Sequence, residues 1–387
     1  MVEETLQNAE AGAPAPQPRF AWNLDEVSGA LGDLGTFLPH IIGAITVVGM
    51  NPTGIFVSFG LFYAVAGSFY GVPMAVQPMK AASAAVLIKP MRPEAVAGAG
   101  LVIGAFFLIA GVSGLVGRIA RALPPTVAAG LQLGLGLSLA GLGVRYVEHQ
   151  LWLGLFICAF MLALMRIPRI PVALVAVIVG AVIGIVTGVS PPIPALDFGL
   201  HLPHLIWPSL AAVEDGVIHA VLPQIPLTLT NAIIVTAAVS RQLFPGQAGR
   251  VTERNLALTT GLGNLLAAPF GGYLMCHGAG GMSGHYRFGA RTATAPLLIG
   301  LTLASLGLFL GSSGYQLLRT IPDAVLGGLL LFSGIDLALS SKPGDYAGAD
   351  LFLVLLMAAV GVAVNPAAAF AVGLPLAYAI KHRWLKV

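Results

Sequence analysis

Tyr70-Gly-Val-Pro-Met-Ala-Val-Gln-Pro-Met-Lys80 interrupts one of the longest apolar stretches of the chain, and Gly271-Gly-Tyr-Leu-Met-Cys-His-Gly-Ala-Gly-Gly-Met-Ser283 does the same further on. Each is too rich in Pro or Gly to continue a helix, and each leads into a short run that can start one. The first enters the Ala-rich segment Ala81 to Ile88, and the second enters a Gly-rich helix start. They stand at similar distances from the beginnings of the two halves of the chain. A pair of interrupted apolar segments in corresponding positions is the sequence mark of a membrane carrier's binding site.

The surroundings support a membrane reading. Of 387 residues 57% are hydrophobic and 9% charged, against about 25% charged in soluble domains. Hydrocarbon tolerates such a surface, and neighbouring helices in a bundle satisfy backbone freed by Gly and Pro. Cutting at charges and Pro clusters gives apolar spans near 24–48, 53–70, 77–88, 94–116, 125–144, 150–165 and 171–188, then 218–243, 253–268, 279–290, 293–312, 322–340, 349–364 and 366–381. That is an all-α polytopic membrane protein of about fourteen elements in two groups of seven. Residues 1–22 read as a disordered cytoplasmic tail without a signal peptide, 23–189 as the first repeat, 190–217 as a polar external linker, and 218–387 as the second repeat.

Basic residues set the orientation. With the N-terminus inside and each element crossing once, only Lys89, Arg92, Arg145 and Arg319 of the 19 Lys and Arg fall outside, and Lys80 lies within a span. This obeys the positive-inside rule and places both termini in the cytoplasm. An odd number of crossings per half makes the second repeat inverted relative to the first. The basic pI near 9.0 then reflects topology, and no nucleic-acid partner is implied.

Lys80 carries the functional reading. An ionisable side chain inside a span costs a few kcal/mol and marks a pathway or an ion pair. Beside a helix N-terminus, whose free amides carry partial positive charge, it makes an anion site. The alternative is a structural pair with Asp33 or Glu26. Gly278, Ala279, Gly280 and Gly281 let backbone N–H groups approach a ligand closely, whereas Gly130, Gly134, Gly136, Gly141 and Gly143 read as helix-packing glycines. Gln77, Thr228, Thr230 and Asn231 can hydrogen-bond an oxyanion or support a broken helix. Asp33 and Glu26 are candidate coupling or proton-relay acids, with structural roles as the alternative, and Asp336 reads as structural. His277 beside Cys276 lacks the companions that a metal site needs, so His277 reads as pocket lining, and no cofactor is expected. No nucleotide-binding loop is present, and Gly281-Met-Ser-Gly-His285 does not complete a nucleophile elbow, which argues against an enzyme.

Three stretches resemble the molybdate transporter family, a branch related to the SulP sulfate permeases. They are Glu26-Val-Ser-Gly-Ala-Leu-Gly-Asp-Leu-Gly-Thr-Phe-Leu-Pro39, Val76-Gln-Pro-Met-Lys80, and Met275-Cys-His-Gly-Ala-Gly-Gly281 followed by His285-Tyr-Arg-Phe-Gly-Ala-Arg291. The resemblance implies seven plus seven inverted segments, a core moving against a gate, and an oxyanion held between the third and tenth elements. The third-element motif then falls on Gln77, Pro78, Met79 and Lys80, and the tenth on His277 to Gly281. The STAS domain of the wider group is expected to be absent, because the chain ends at Val387. The function expected is import of a tetrahedral dianion, molybdate first, across the plasma (inner) membrane, driven by a proton or sodium ion. Sulfate transport and a passive anion channel are the alternatives. Membrane lipid and a homodimer are the remaining expected partners.

Overall fold

The computed structural model describes residues 18–167, 170–382 and 384. The order of elements is α1 (Leu24–Ala30), a 3-10 turn (Leu31–Asp33), α2 (Leu34–Thr46), α3 (Pro52–Tyr70), β1 (Val76–Pro78), α4 (Lys80–Ile88), α5 (Pro93–Ser113), α6 (Val116–Ala122), α7 (Pro125–Glu148), α8 (Leu151–Leu164) and α9 (Val172–Val186). There follow α10 (Leu210–Leu243), α11 (Glu253–Ala267), β2 (Met275–His277), α12 (Ala279–Arg287), α13 (Thr294–Leu318), α14 (Asp323–Ser340), α15 (Gly348–Ala363) and α16 (Pro366–Lys381). α3, α5, α7, α10, α13 and α14 are each long and apolar enough to cross a membrane. Their outward faces are apolar, as at Leu61, Val65, Ile109 and Leu301, as a surface in contact with hydrocarbon needs to be.

Local chemistry sets the breaks. Asn51 caps α3 by accepting from Thr53 N–H, and Pro52 occupies its first turn, where no N–H is required. Gly71 (φ 74°) ends α3 in the left-handed conformation, and Gly271 (φ 72°) does the same for the 3-10 turn after α11. A side chain is disfavoured at either φ. Both glycines turn the chain into short extended strands, which pair antiparallel with Val76 opposite His277, Gln77 opposite Cys276 and Pro78 opposite Met275. Asn264 of α11 holds β2 by donating to Met275 O at 2.6 Å and accepting from Met275 N at 3.1 Å. Each strand continues into a helix of nine residues, α4 or α12. The two half-helices therefore start at the same ribbon.

Two buried clusters divide the bundle. One joins α2, α3, α5 and the β ribbon to α10, α11 and α13. The other joins α7, α8 and α9 to α14, α15 and α16, and takes in Ile42 of α2 with Ala81, Ala84, Ala85 and Leu87 of α4. α4 thus lies between the two bodies. Facing glycines bring the long helices close: an added Cβ would strike backbone at Gly60 and Gly300 (α3 with α13), at Gly104 and Gly261 (α5 with α11), and at Gly136 and Gly334 (α7 with α14). Gly130, Gly134 and Gly143 are close-packed as expected, but Gly141 faces open space and has no packing role.

Other expectations are corrected. Residues 1–17 of the expected tail lie outside the described residues, but residues 18–22 are tied down. Ala21 N donates to Thr294 Oγ1 at 3.0 Å, and Arg19 O accepts from Ala293 N at 3.1 Å. The linker is shorter than read from its polarity, because Ser209 caps a helix that starts at Leu210. Its remainder bonds back to α13, with His201 N donating to Leu308 O at 2.7 Å, where Gly311 breaks that helix. α6, with Arg118 and Arg121 among apolar residues, was hidden between two long apolar runs.

Candidate functional site

The starts of α4 and α12 bound a cavity of about 210 Å³, lined by Gln77, Pro78, Lys80, Cys276, His277, Gly278, Ala279 and Gly280 from the ribbon and half-helices, by Gln224 and Asn231 from α10, and by Gln132, Leu337 and Ser340 from the second body. This is room for about seven waters. The first N–H groups of a helix have no partner within it, so Lys80 on one side, and Ala279 and Gly280 on the other, hold amides available to a bound group. Ala82 N–H is already committed to Gln224 Oε1 at 2.9 Å. Two positive helix ends and one ammonium group converge here, which favours an anion.

α10 reaches the cavity in distorted form. Its segments Val217–Val221 and Thr228–Val235 are π-helical, and Pro226 interrupts the ladder between them. The wider turn carries Asn231 to the cavity, where its Nδ2 donates to Gln132 Oε1 of α7 at 3.3 Å. Gln224 Nε2 donates to Thr228 Oγ1 at 2.8 Å, and Thr230 Oγ1 donates back to Pro226 O at 2.9 Å. Thr228 and Thr230 thereby serve the distorted helix.

Asp33 lies behind the cavity and is 2% exposed. Its Oδ2 accepts from Tyr63 OH at 2.9 Å, and its Oδ1 accepts from Gln77 Nε2. The acid thus orients the Gln77 amide. Gly281 packs on this pair so closely that a Cβ there would lie 2.5 Å from both Asp33 Oδ1 and Gln77 Nε2, while Gly280 has open space around it. A second, larger cavity of about 410 Å³ includes Asp33, Gly280, Ser283, Arg287, Met165, Ser333 and Asp336 in its lining. Gly280 belongs to both, so the cavities adjoin.

Not every expected residue reaches the site. Met79 is fully buried in the first cluster, and its N–H bonds to Leu274 O at 2.9 Å. Gly281 backs the site rather than lining it. His277 lines the cavity, but its Nδ1 pairs with Ala75 O at 3.2 Å and its Nε2 with Thr259 Oγ1 at 2.8 Å, so both ring nitrogens are already bonded. Glu26 is remote: its Oε1 accepts from Arg291 N at 2.8 Å and Thr292 N at 2.9 Å, and its Oε2 from Ala295 N at 3.1 Å. It secures the segment entering α13, the place where a carboxylate favours a helix start. Lys80 pairs with neither Asp33 nor Glu26; its Nζ lies 3.5 Å from Asp336 Oδ2 of α14. Gln132, Gln224 and Ser340 were not anticipated. Among the described residues no group of three or more His, Cys, Asp or Glu could hold a metal ion.

The family model described as "Molybdate transporter of MFS superfamily" matches residues 25–139 and 216–337. The chain belongs to the molybdate transporter family. "Molybdate transporter 2" of Arabidopsis thaliana is 31% identical over 93% of this chain and 88% of its own length. "Molybdate transporter 1" of the same plant is 29% identical over 92% and 87%. Both are transporters, not enzymes. Among solved structures, the transmembrane domain of the cyanobacterial bicarbonate transporter BicA superposes with a TM-score of 0.69 at 19% identity, covering 91% of this chain and 98% of that one. The murine Slc26a9 anion transporter in its inward-facing state gives 0.68 at 13% identity, covering 99% and 72%. This member of the molybdate transporter family therefore has the multi-pass fold of the SLC26-type transporters.

Proposed function

We propose that the chain is a secondary active transporter that imports a tetrahedral oxyanion dianion, molybdate first, across the plasma membrane by movement of a core against a gate. The observation that carries this reading is the cavity between the starts of α4 and α12, closed on its far side by Gln132, Leu337 and Ser340 of the other body. A dianion in a low-dielectric setting needs close positive charge. Lys80 and two helix ends supply it without a metal, and the polar amides of Gln132, Gln224 and Asn231 add hydrogen-bond donors. A site walled by two separately packed bodies loses one wall when they slide, which is what alternating access requires. The names of the Arabidopsis relatives support molybdate over sulfate. The packing of α3 on α13 and α5 on α11, exchanged partners if the halves are equivalent, supports two inverted repeats spanning 23–189 and 218–387.

Orientation follows from the basic residues. Arg287 lines the larger cavity, and by the charge bias this side faces the cytoplasm with both termini, so the conformation is inward-open. Cysteines placed at Ser209 and Gln247, at opposite ends of α10, should label from opposite sides in sealed cells, Ser209 from outside. Labelling of both from one side would refute the layout.

Uptake of radiolabelled molybdate into proteoliposomes tests the transport reading. Saturable uptake accelerated by an inward proton or sodium gradient is expected, whereas unsaturable flux indifferent to gradients would establish a channel. Asp33 is the proposed proton carrier, since it alone of the buried acids among the described residues borders both Gln77 and the larger cavity. Asp33→Asn should then abolish dependence on the proton gradient and leave molybdate exchange measurable. Unchanged gradient dependence in a folded variant would remove Asp33 from the coupling path.

A further inference from the structure

The ion pair between Lys80 and Asp336 joins the start of the half-helix α4 to α14 of the second body at the site itself. Lys80 opens α4, lines the smaller cavity and has 26% of its side chain exposed, whereas Asp336 on α14 lines the larger cavity and has 67% exposed. Their charged atoms are 3.5 Å apart. An exposed pair of this kind contributes little to stability, and Asp336 O, not its carboxylate, holds Ser340 at 2.6 Å. The carboxylate has Lys80 as its only ion-pair partner among the described residues. The pair thus links the linings of the two adjoining cavities.

We propose that Asp336 is a resident competitor for the substrate anion: its carboxylate occupies Lys80 in the empty carrier and is displaced when the oxyanion binds. This rests on the anion-site reading above. A carboxylate offers one negative charge and a dianion two, so the dianion can outbid it for the ammonium, and the helix ends reinforce that preference. Because Asp336 belongs to α14 of the second body and Lys80 to α4, which lies between the bodies, displacement also removes a link between α4 and α14. Substrate charge is thus read at the contact between α4 and α14. Asp336 is a specificity-determining and positioning residue in this scheme, and it need not remain in contact with the bound oxyanion.

Calorimetric titration of the purified full chain with molybdate and with sulfate tests it. Asp336→Asn should bind molybdate about three- to tenfold more tightly, since both the competition and the like-charge repulsion are gone, and Asp336→Glu should stay near the parent. In a Lys80→Gln background the gain from Asp336→Asn should shrink, because the competition acts through the ammonium group. A merely structural contact would lower affinity or leave it unchanged on removal. Parent binding with no tightening in folded Asp336→Asn overturns this inference alone, while a parent that binds neither oxyanion overturns the anion-site reading and this inference together.

Discussion

Replacing Lys80 with alanine is expected to weaken molybdate binding by about 2–5 kcal/mol, the range for truncating one partner of a desolvated charge pair. That corresponds to roughly 30-fold at the least. Among the described residues Lys80 supplies the cavity's one side-chain cation, and the helix ends offer only partial charges of about half a unit each. The variant should fold, because the Lys80–Asp336 pair is partly exposed and Asp336 keeps access to solvent when left alone. Lys80→Arg should restore binding in part, since a planar guanidinium keeps the charge but directs its donors differently and needs more room than the ammonium. Titration calorimetry on folded, detergent-purified variants measures the effect. Equal affinity in Lys80→Ala and the parent would make Lys80 a counterion of Asp336 and leave the anion to the backbone amides.

The elements were legible because lipid imposes a simple rule on sequence: spans are apolar and breaks carry Pro, Gly or charge. α3 was expected over 53–70 and runs from Pro52 to Tyr70, and α16 was expected at 366–381 and lies there. Lys80 was found because a charge inside an apolar run is conspicuous in any alignment of the chain with a membrane. Its partner was not. Asp336 lies 256 positions away, and which face of α14 is left toward α4 depends on its close glycine packing against α7, which no local period encodes. Gln132 and Gln224 were missed for a similar reason, as single amides in helices carry no spacing signal. Glu26 drew attention as a buried acid, yet it serves three backbone amides near Arg291, an assignment visible only once the N-terminus is seen against α13. Met79 belonged to the right motif, but the turn from β1 into α4 sends it into the core while Pro78 and Lys80 face the cavity.

The adjacent glycines of α12 separate shape from charge. Gly281→Ala should destabilise the protein by about 1–3 kcal/mol, the range for overpacking a filled site, because its methyl would meet Asp33 Oδ1 and Gln77 Nε2. Neither atom is the loose end of a free side chain: Asp33 is held by Tyr63 and Gln77, so relief requires breaking a buried hydrogen bond, which adds its own cost. Gly280→Ala meets nothing within 4 Å and should leave stability within about 0.5 kcal/mol of the parent once the lower unfolded-state entropy of alanine is included. Gly280→Val should also fold, yet it places branched bulk between the amides and the anion, so binding should fall although no charge has changed. Thermal melts and molybdate titrations on the same samples distinguish these effects. The expected pattern is a lowered melting temperature for Gly281→Ala and lost affinity at parental stability for Gly280→Val. If Gly280→Val binds molybdate as the parent does, the amides of α12 do not reach the anion, and the site must be rebuilt around Lys80 and α10.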